Sequence, residues 1–184
     1  MNKQTAMFIG ANFLLLFVII GGLFVYTGFQ EKTDYIFNNE WSLEITLNNE
    51  QLQNFTIKEF SNLPENLKIV QYYFLFRGGD SKPNEEGNFT GISLKYLIQY
   101  LFNISEWNLT HISSIDNFSS TLEYSEVIEK PDIIIAYLKN DQPLKGIKEG
   151  GEGPLRLIIP QETPYDLNAL RCAKYVNKIN IDKF

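Results

Sequence analysis

The chain has 184 residues, 16 basic against 22 acidic, and a formal net charge of −6. One Cys and one His exclude an intrachain disulfide framework, a multi-cysteine zinc or iron–sulfur site and His-rich metal chemistry. The acidic balance argues against nucleic acid as a partner, because phosphate binding needs a basic face, and the length holds one ordinary domain with an appendage.

From Ala6 to Phe29 no residue is charged, and the centre reads Phe13-Leu-Leu-Leu-Phe-Val-Ile-Ile20. As a helix rising ~1.5 Å per residue this stretch is roughly 36 Å long, enough for a hydrocarbon core of about 30 Å. A cleaved signal peptide would have an apolar region of about 7–15 residues and a small-residue cleavage site. The exit here reads Tyr26-Thr-Gly-Phe-Gln30, so the segment is read as an uncleaved signal anchor. Lys3 and the α-amine lie before it, and Glu31, Lys32 and Asp34 after it. The positive-inside rule then places residues 1–5 in the cytoplasm and residues 31–184 outside, with 30–40 as a polar tether.

Five Asn-x-Ser/Thr acceptors follow, headed by Asn54, Asn88, Asn103, Asn108 and Asn117. With 18 Asn and 19 Ser plus Thr, chance gives about two. The excess agrees with an extracytoplasmic domain open to N-glycosylation, although an Asn-rich composition also produces such motifs by accident. The expected localisation is a single-pass membrane protein with its C-terminal domain outside.

Residues 41–184 read as one domain. Trp41, Leu43, Ile45 and Leu47 alternate with polar residues, the period of a half-buried strand. Asn48-Asn-Glu50 is a turn, and Thr56-Ile-Lys-Glu59 fits a capping box that starts a short helix, stopped around Pro64. Lys68–Phe76 is a second strand, and Arg77–Gly87 a loop by composition. Ser93 caps a helix with the apolar stripe Leu94, Leu97, Ile98 and Leu101. A strand over Thr110–Ile115, a turn at Asp116-Asn117 and a helical turn over Ser125–Glu129 come next. Ile133–Leu138 is a strand buried on both faces or a short buried helix. Asn140–Pro143 turns the chain, Gly146–Gly153 leads into a strand at Leu155–Ile159, and Ala173–Ile181 is the last strand. Strands and short helices mix without βαβ regularity, so the fold class is α+β.

Four segments in order carry a family resemblance. They are Thr90-Gly-Ile-Ser-Leu-Lys-Tyr-Leu97, Ile134-Ile-Ala-Tyr-Leu-Lys-Asn-Asp-Gln-Pro-Leu144, Gly153-Pro-Leu-Arg-Leu-Ile-Ile-Pro160 and Leu170-Arg-Cys-Ala-Lys-Tyr-Val-Asn-Lys-Ile179. Together with Ile57–Phe60 and Leu63-Pro64 they resemble the molybdopterin-binding oxidoreductase domain of the sulfite-oxidase-like family. The resemblance implies a mixed-sheet fold and a molybdenum cofactor held by one Cys thiolate just after the domain's second strand. The matching stretch, Gln71-Tyr-Tyr-Phe-Leu-Phe-Arg-Gly-Gly79, has no Cys, and Cys172 stands where the family shows Ser. The family's histidine three residues before the Pro of its third segment corresponds to Gly151. The family's phosphate-gripping element matches Arg171-Cys172-Ala173-Lys174. Arg171 and Lys174, with Arg77, which opens the loop that would rim the pocket, are the candidate cofactor-binding or anion-holding residues; no residue is assigned as catalytic or as a metal ligand.

Other constellations are weaker. Asp80, Asn84, Glu85 and Glu86 offer oxygens for Ca²⁺ without EF-hand spacing, and Arg156 reads as a structural hydrogen-bonding residue. His111 has no nucleophile motif beside it. Three functions stay open: a non-catalytic ligand-binding or interaction module, an oxidoreductase holding a molybdenum or tungsten pterin without cysteine, and a structural cell-surface component. The expectation is that no cofactor is held, molybdopterin being the one the resemblance implies. Expected partners are the membrane, through the N-terminal helix, and an anionic small molecule or another membrane protein.

Overall fold

The alternation after Trp41 produces strand β1 (Ser42–Leu47), with Leu43 and Ile45 buried. The computed structural model describes residues 41–76, 84–161, 163 and 166–184. The expected anchor and tether lie outside the described residues; among the described residues no helix is long and apolar enough to cross a membrane. A bulge between Ile45 and Thr46 breaks the period. It turns Thr46 inward, where it is fully buried and donates its hydroxyl to Asn180 Oδ1 at 2.7 Å.

Asn48 and Asn49 take the left-handed conformation that a tight hairpin requires (φ 52° and 65°). The chain returns as β2 (Glu50–Thr56), a strand the sequence pattern does not announce. The capping box at Thr56 forms as expected and opens helix α1 (Ile57–Ser61). Glu59 N–H donates to Thr56 Oγ1 at 3.2 Å, and Thr56 N–H donates to Glu59 Oε2 at 2.8 Å.

Strand β3 (Lys68–Leu75) follows a 3-10 turn. The loop expected up to Gly87 ends earlier, because Glu85–Ser93 is strand β4, antiparallel to β3 from Leu75↔Glu85 to Lys68↔Ile92. Pairing with β3 overrides the weak strand propensity of Glu, Gly and Asn there, and β7 joins on the other side from Phe89 onward. Gly91 is required within it: a Cβ would stand 2.5 Å from the Ile135 carbonyl oxygen of the neighbouring strand. Ser93 then caps helix α2 (Leu94–Phe102), whose Leu94, Leu97 and Ile98 are buried and which ends at left-handed Asn103.

Strands β5 (Leu109–Ser114) and β6 (Ser119–Glu123) form a hairpin around Asn117, which leads into helix α3 (Tyr124–Glu129). The apolar run is strand β7 (Ile134–Lys139), and Asn140 and Asp141 turn it into the two-residue β8 (Gln142–Pro143). After a second 3-10 turn come β9 (Arg156–Ile158), the short helix α4 (Asn168–Arg171) and β10 (Val176–Asp182). The last strand starts three residues later than expected: Lys174 makes only an isolated bridge to Arg156, and Tyr175 is left-handed.

These strands build two sheets, the mixed α+β architecture that the sequence suggests. One has the order β2-β1-β10-β5-β6, with β1 and β10 parallel; in the other β3-β4-β7-β8 run in order and β9 pairs with β7. Leu157 N–H donates to Ala173 O (2.8 Å) and Val176 N–H to Leu155 O (3.0 Å), linking β9 to the approach to β10. Trp107 is fully buried, donates to Thr110 Oγ1 at 3.0 Å and meets Tyr124 edge-on at 4.9 Å.

Candidate functional site

Strand β3 is an edge strand among the described residues, paired only with β4. Its pleat sends Tyr73 and Leu75 into the core and leaves Val70, Tyr72 and Phe74 exposed on the other face. At its end, where the resembled family places its metal thiolate, Leu75 is fully buried and Phe76 half-buried, with Phe76 N–H donating to Gln161 Oε1 at 2.9 Å. Arg77 lies outside the described residues. Tyr73 donates its hydroxyl to the Asp132 carbonyl at 2.6 Å, and burial pushes its phenol well above the ordinary range. Beside this strand is a cleft of about 510 Å³, lined by Gln71–Phe74 together with Asp132, Pro160, Gln161 and Thr163. The residues that line it carry aromatic rings, amides, three hydroxyls and one carboxylate.

The other candidate cations stand elsewhere and are each held by a carboxylate. Arg171, at the end of α4, grips Glu126 bidentately (Nη1–Oε1 2.7 Å, Nη2–Oε2 2.8 Å) and donates to the Thr121 carbonyl at 3.1 Å. The Glu126 hydrogen bond raises its pKa further. Lys174 binds Glu152 Oε1. Arg171 and Lys174 thus face different acids, and neither is among the residues that wall the cleft.

Glu152 belongs to an alternating ion network centred on Arg156, which is 1% exposed. The Arg156 guanidinium donates through Nη1 to Glu152 and to Glu85 Oε2 at 2.8 Å, and Lys139 Nζ reaches Glu85 Oε1 at 2.7 Å. Burial alone would push the Glu85 carboxyl up. The Arg156 charge and hydrogen bonds from Lys139 and Arg156 override it and hold it at about 2. Glu152 is also lowered, burial being outweighed by Arg156 and Lys174. Arg156 and Lys139 both lie over the Phe89 ring, at 5.9 and 5.3 Å, and Arg156 Nε is buried without a hydrogen-bond partner. Arg156 is the structural residue the sequence suggests, although its position in a strand gives no hint of the acids from β4 and the 146–153 loop.

The donor set does not fit a thiolate-held metal. Cys172, the one Cys of the chain, is buried, accepts from Ile159 N–H at 3.3 Å and donates to the Asn168 carbonyl at 3.4 Å. Burial raises its pKa, so the sulfur is a protonated core group. Gly151 could not carry the family's histidine either, since a Cβ there would lie 2.1 Å from the Lys145 carbonyl oxygen.

Among the described residues no group of three or more His, Cys, Asp or Glu is placed to hold a metal ion. Of the Ca²⁺ candidates, Asp80 lies outside the described residues, Glu85 is in the ion network and Glu86 accepts from Tyr72. His111 lies between Thr121 Oγ1 and Asp182 Oδ2, 3.0 Å from each, an arrangement hidden in the sequence because the three stand on β5, β6 and β10. On this outward sheet face they cross-link three strands.

No protein-family model and no curated protein matches the sequence. Among solved structures the chain is similar to the sulfane dehydrogenase SoxCD from Paracoccus pantotrophus, with a TM-score of 0.58 and 18% identity. The match covers 78% of this chain and 38% of that chain, so this protein corresponds to well under half of the dehydrogenase chain it matches. At that identity the likeness is one of fold alone.

Proposed function

We propose that this protein is a membrane-anchored, extracytoplasmic domain of the molybdopterin-oxidoreductase fold that works as a non-catalytic ligand-binding or interaction module. The supporting observation is the end of β3: buried Leu75 and half-buried Phe76 occupy the stretch where the resembled family presents its thiolate, and the sole Cys is a hydrogen-bonded core thiol. The likeness to a sulfane dehydrogenase supports the ancestry. The cleft beside β3 favours ligand binding over a purely structural role. For Arg171 or Lys174 to grip an anion, each would first have to leave its carboxylate, Glu126 or Glu152.

A second reading, an oxidoreductase with non-cysteine ligation of molybdenum or tungsten, draws on the same cleft, whose Asp132, Tyr72 and Gln161 carry oxygen donors. Elemental analysis and pterin fluorescence separate the two, measured on the full chain purified from a host that makes the molybdenum cofactor. The module reading expects neither metal nor more than trace pterin. Near-stoichiometric molybdenum or tungsten establishes the second reading instead.

A further inference from the structure

The five acceptor asparagines are all exposed, but the fold treats their hydroxyl partners differently. Transfer of a glycan to an Asn-x-Ser/Thr site requires a catalyst to reach the asparagine amide and the hydroxyl two residues on, on backbone free to enter a binding groove. In three sites the fold withholds one of these. Thr56 Oγ1 is committed to the capping box with Glu59. Thr110 is fully buried and its hydroxyl accepts from Trp107. Asn88 and Thr90 lie within β4, paired with Tyr72 and Val70 of β3; on the other side Thr90 pairs with Leu138 of β7, and Asn88 N–H and C=O are both bonded to Asn140.

The remaining two differ. Asn103 is the left-handed C-cap of α2 (φ 49°), and Ser105 is exposed in the connection to β5. Asn117 is left-handed (φ 65°) at the β5–β6 turn, with Asn117, Phe118 and Ser119 all exposed; Ser119 is the first residue of β6 and pairs on one side only, with Ser113 at the end of the ladder. Left-handed asparagines at turns project away from the ladder, and loop tips are where backbone can be drawn out at least cost.

We propose that the folded domain carries N-linked glycan at two of its five acceptor sites, Asn103 and Asn117. The inference rests on the outward orientation of residues 31–184 proposed above and is independent of any pterin. In the transfer, Asn Nδ2 bonds to the anomeric carbon of a lipid-pyrophosphate-linked oligosaccharide. The carbon–oxygen bond to pyrophosphate breaks, the lipid pyrophosphate leaves with the electron pair and one amide proton is released. The two sites bracket β5 in the chain, a strand of six residues roughly 20 Å long.

Two experiments test this on the full chain. The first expresses it in a eukaryotic secretory host and measures the mass shift on enzymatic deglycosylation together with protease protection in sealed membranes. Glycan on a lumenal domain supports the orientation; no glycan on a protected cytoplasmic domain overturns both the orientation and the sites. The second incubates the folded, detergent-solubilised chain with a purified oligosaccharyltransferase and its lipid-linked donor. Occupancy is read site by site by mass spectrometry, with unstructured peptides spanning each site as reference acceptors. Relative to its own peptide, each of Asn103 and Asn117 is expected to be at least tenfold better modified than Asn54, Asn88 or Asn108. The variant Asn103→Gln/Asn117→Gln is expected to lose nearly all modification. Equal modification of all five, or preference for Asn54, Asn88 or Asn108, overturns the selection while leaving the orientation intact.

Discussion

Replacing Arg156 with Ala removes the centre of the ion network and reports on what holds the second sheet to the 146–153 loop. The guanidinium is 1% exposed and bonds Glu85 and Glu152 together, so its removal leaves two carboxylates in a half-buried setting. Each carboxylate keeps one lysine, Lys139 or Lys174, so the loss should sit at the low end of the about 3–5 kcal/mol that follows when one partner of a buried pair is deleted. For a domain of this size that is a fall in Tm of roughly 6–12 °C.

The variant also carries a pH signature. Glu85 ionises at about 2 in the folded protein against 4.5 for the free side chain. A folded-state pKa lowered by that much contributes roughly 3 kcal/mol, fully present above the unfolded value and lost as pH falls through the folded one. Arg156 is the largest favourable influence on that carboxyl, so the gap between wild type and Arg156→Ala should narrow on acidification from about pH 5 to about pH 2.5. Urea unfolding followed by the fluorescence of buried Trp107 across that range is the assay. A loss below about 1 kcal/mol at neutral pH, or acid limbs that run parallel, would refute the reasoning.

Three other predictions are narrower. Cys172 should not react with a disulfide-exchange reagent in the native protein and should react fully on denaturation, because its thiol is buried, protonated and hydrogen-bonded; native-state labelling at the rate of a free thiol contradicts this. Asp141→Gly should raise stability by about 0.5–1 kcal/mol by thermal melt, since Asp141 is held at φ 59° in the β7–β8 turn where Gly is unstrained. Glu126→Gln should cost only about 0.5–1 kcal/mol, Arg171 being 38% exposed, yet should increase binding of inorganic phosphate by calorimetry if the released guanidinium can serve an anion. Unchanged phosphate binding in that variant counts against Arg171 as part of an anion clamp.

Where a local rule and the three-dimensional environment agree, the sequence is readable. The Thr56–Glu59 capping box, the Ser93 cap with its Leu94–Leu97–Ile98 stripe and the strand at Ile134–Lys139 all form where their patterns stand. The missed strands share a different character. β2, β6 and the first half of β4 are rich in Glu, Gln, Asn, Ser and Gly, and they are strands because a neighbour supplies hydrogen bonds. The hairpin turns at Asn48-Asn49 and Asn117 are legible in the sequence, but the return strands behind them are not, since a polar edge strand has almost no periodic signal of its own.

For the site, residue types in a one-dimensional pattern pointed to Arg77, Arg171 and Lys174. The sequence could also show that a thiolate is missing from the Gln71–Gly79 stretch, because an absent residue type needs no geometry. It could not show that Arg171 is engaged by Glu126, 45 residues away, or that Arg156 is locked between Glu85 and Glu152. Nor could it show that the His111 ring is shared with Thr121 and Asp182. Composition, caps and periodicity are local properties, and by themselves they determined an acidic α+β chain with an apolar N-terminal stretch and a cysteine-free end to its second predicted strand. The tertiary structure decided the parallel pairing of β1 with β10, which joins the two ends of the domain, and the partner of every buried charge. Both depend on which distant segments meet, and a low-dielectric interior lets a charge settle only where a specific opposite charge is brought to it.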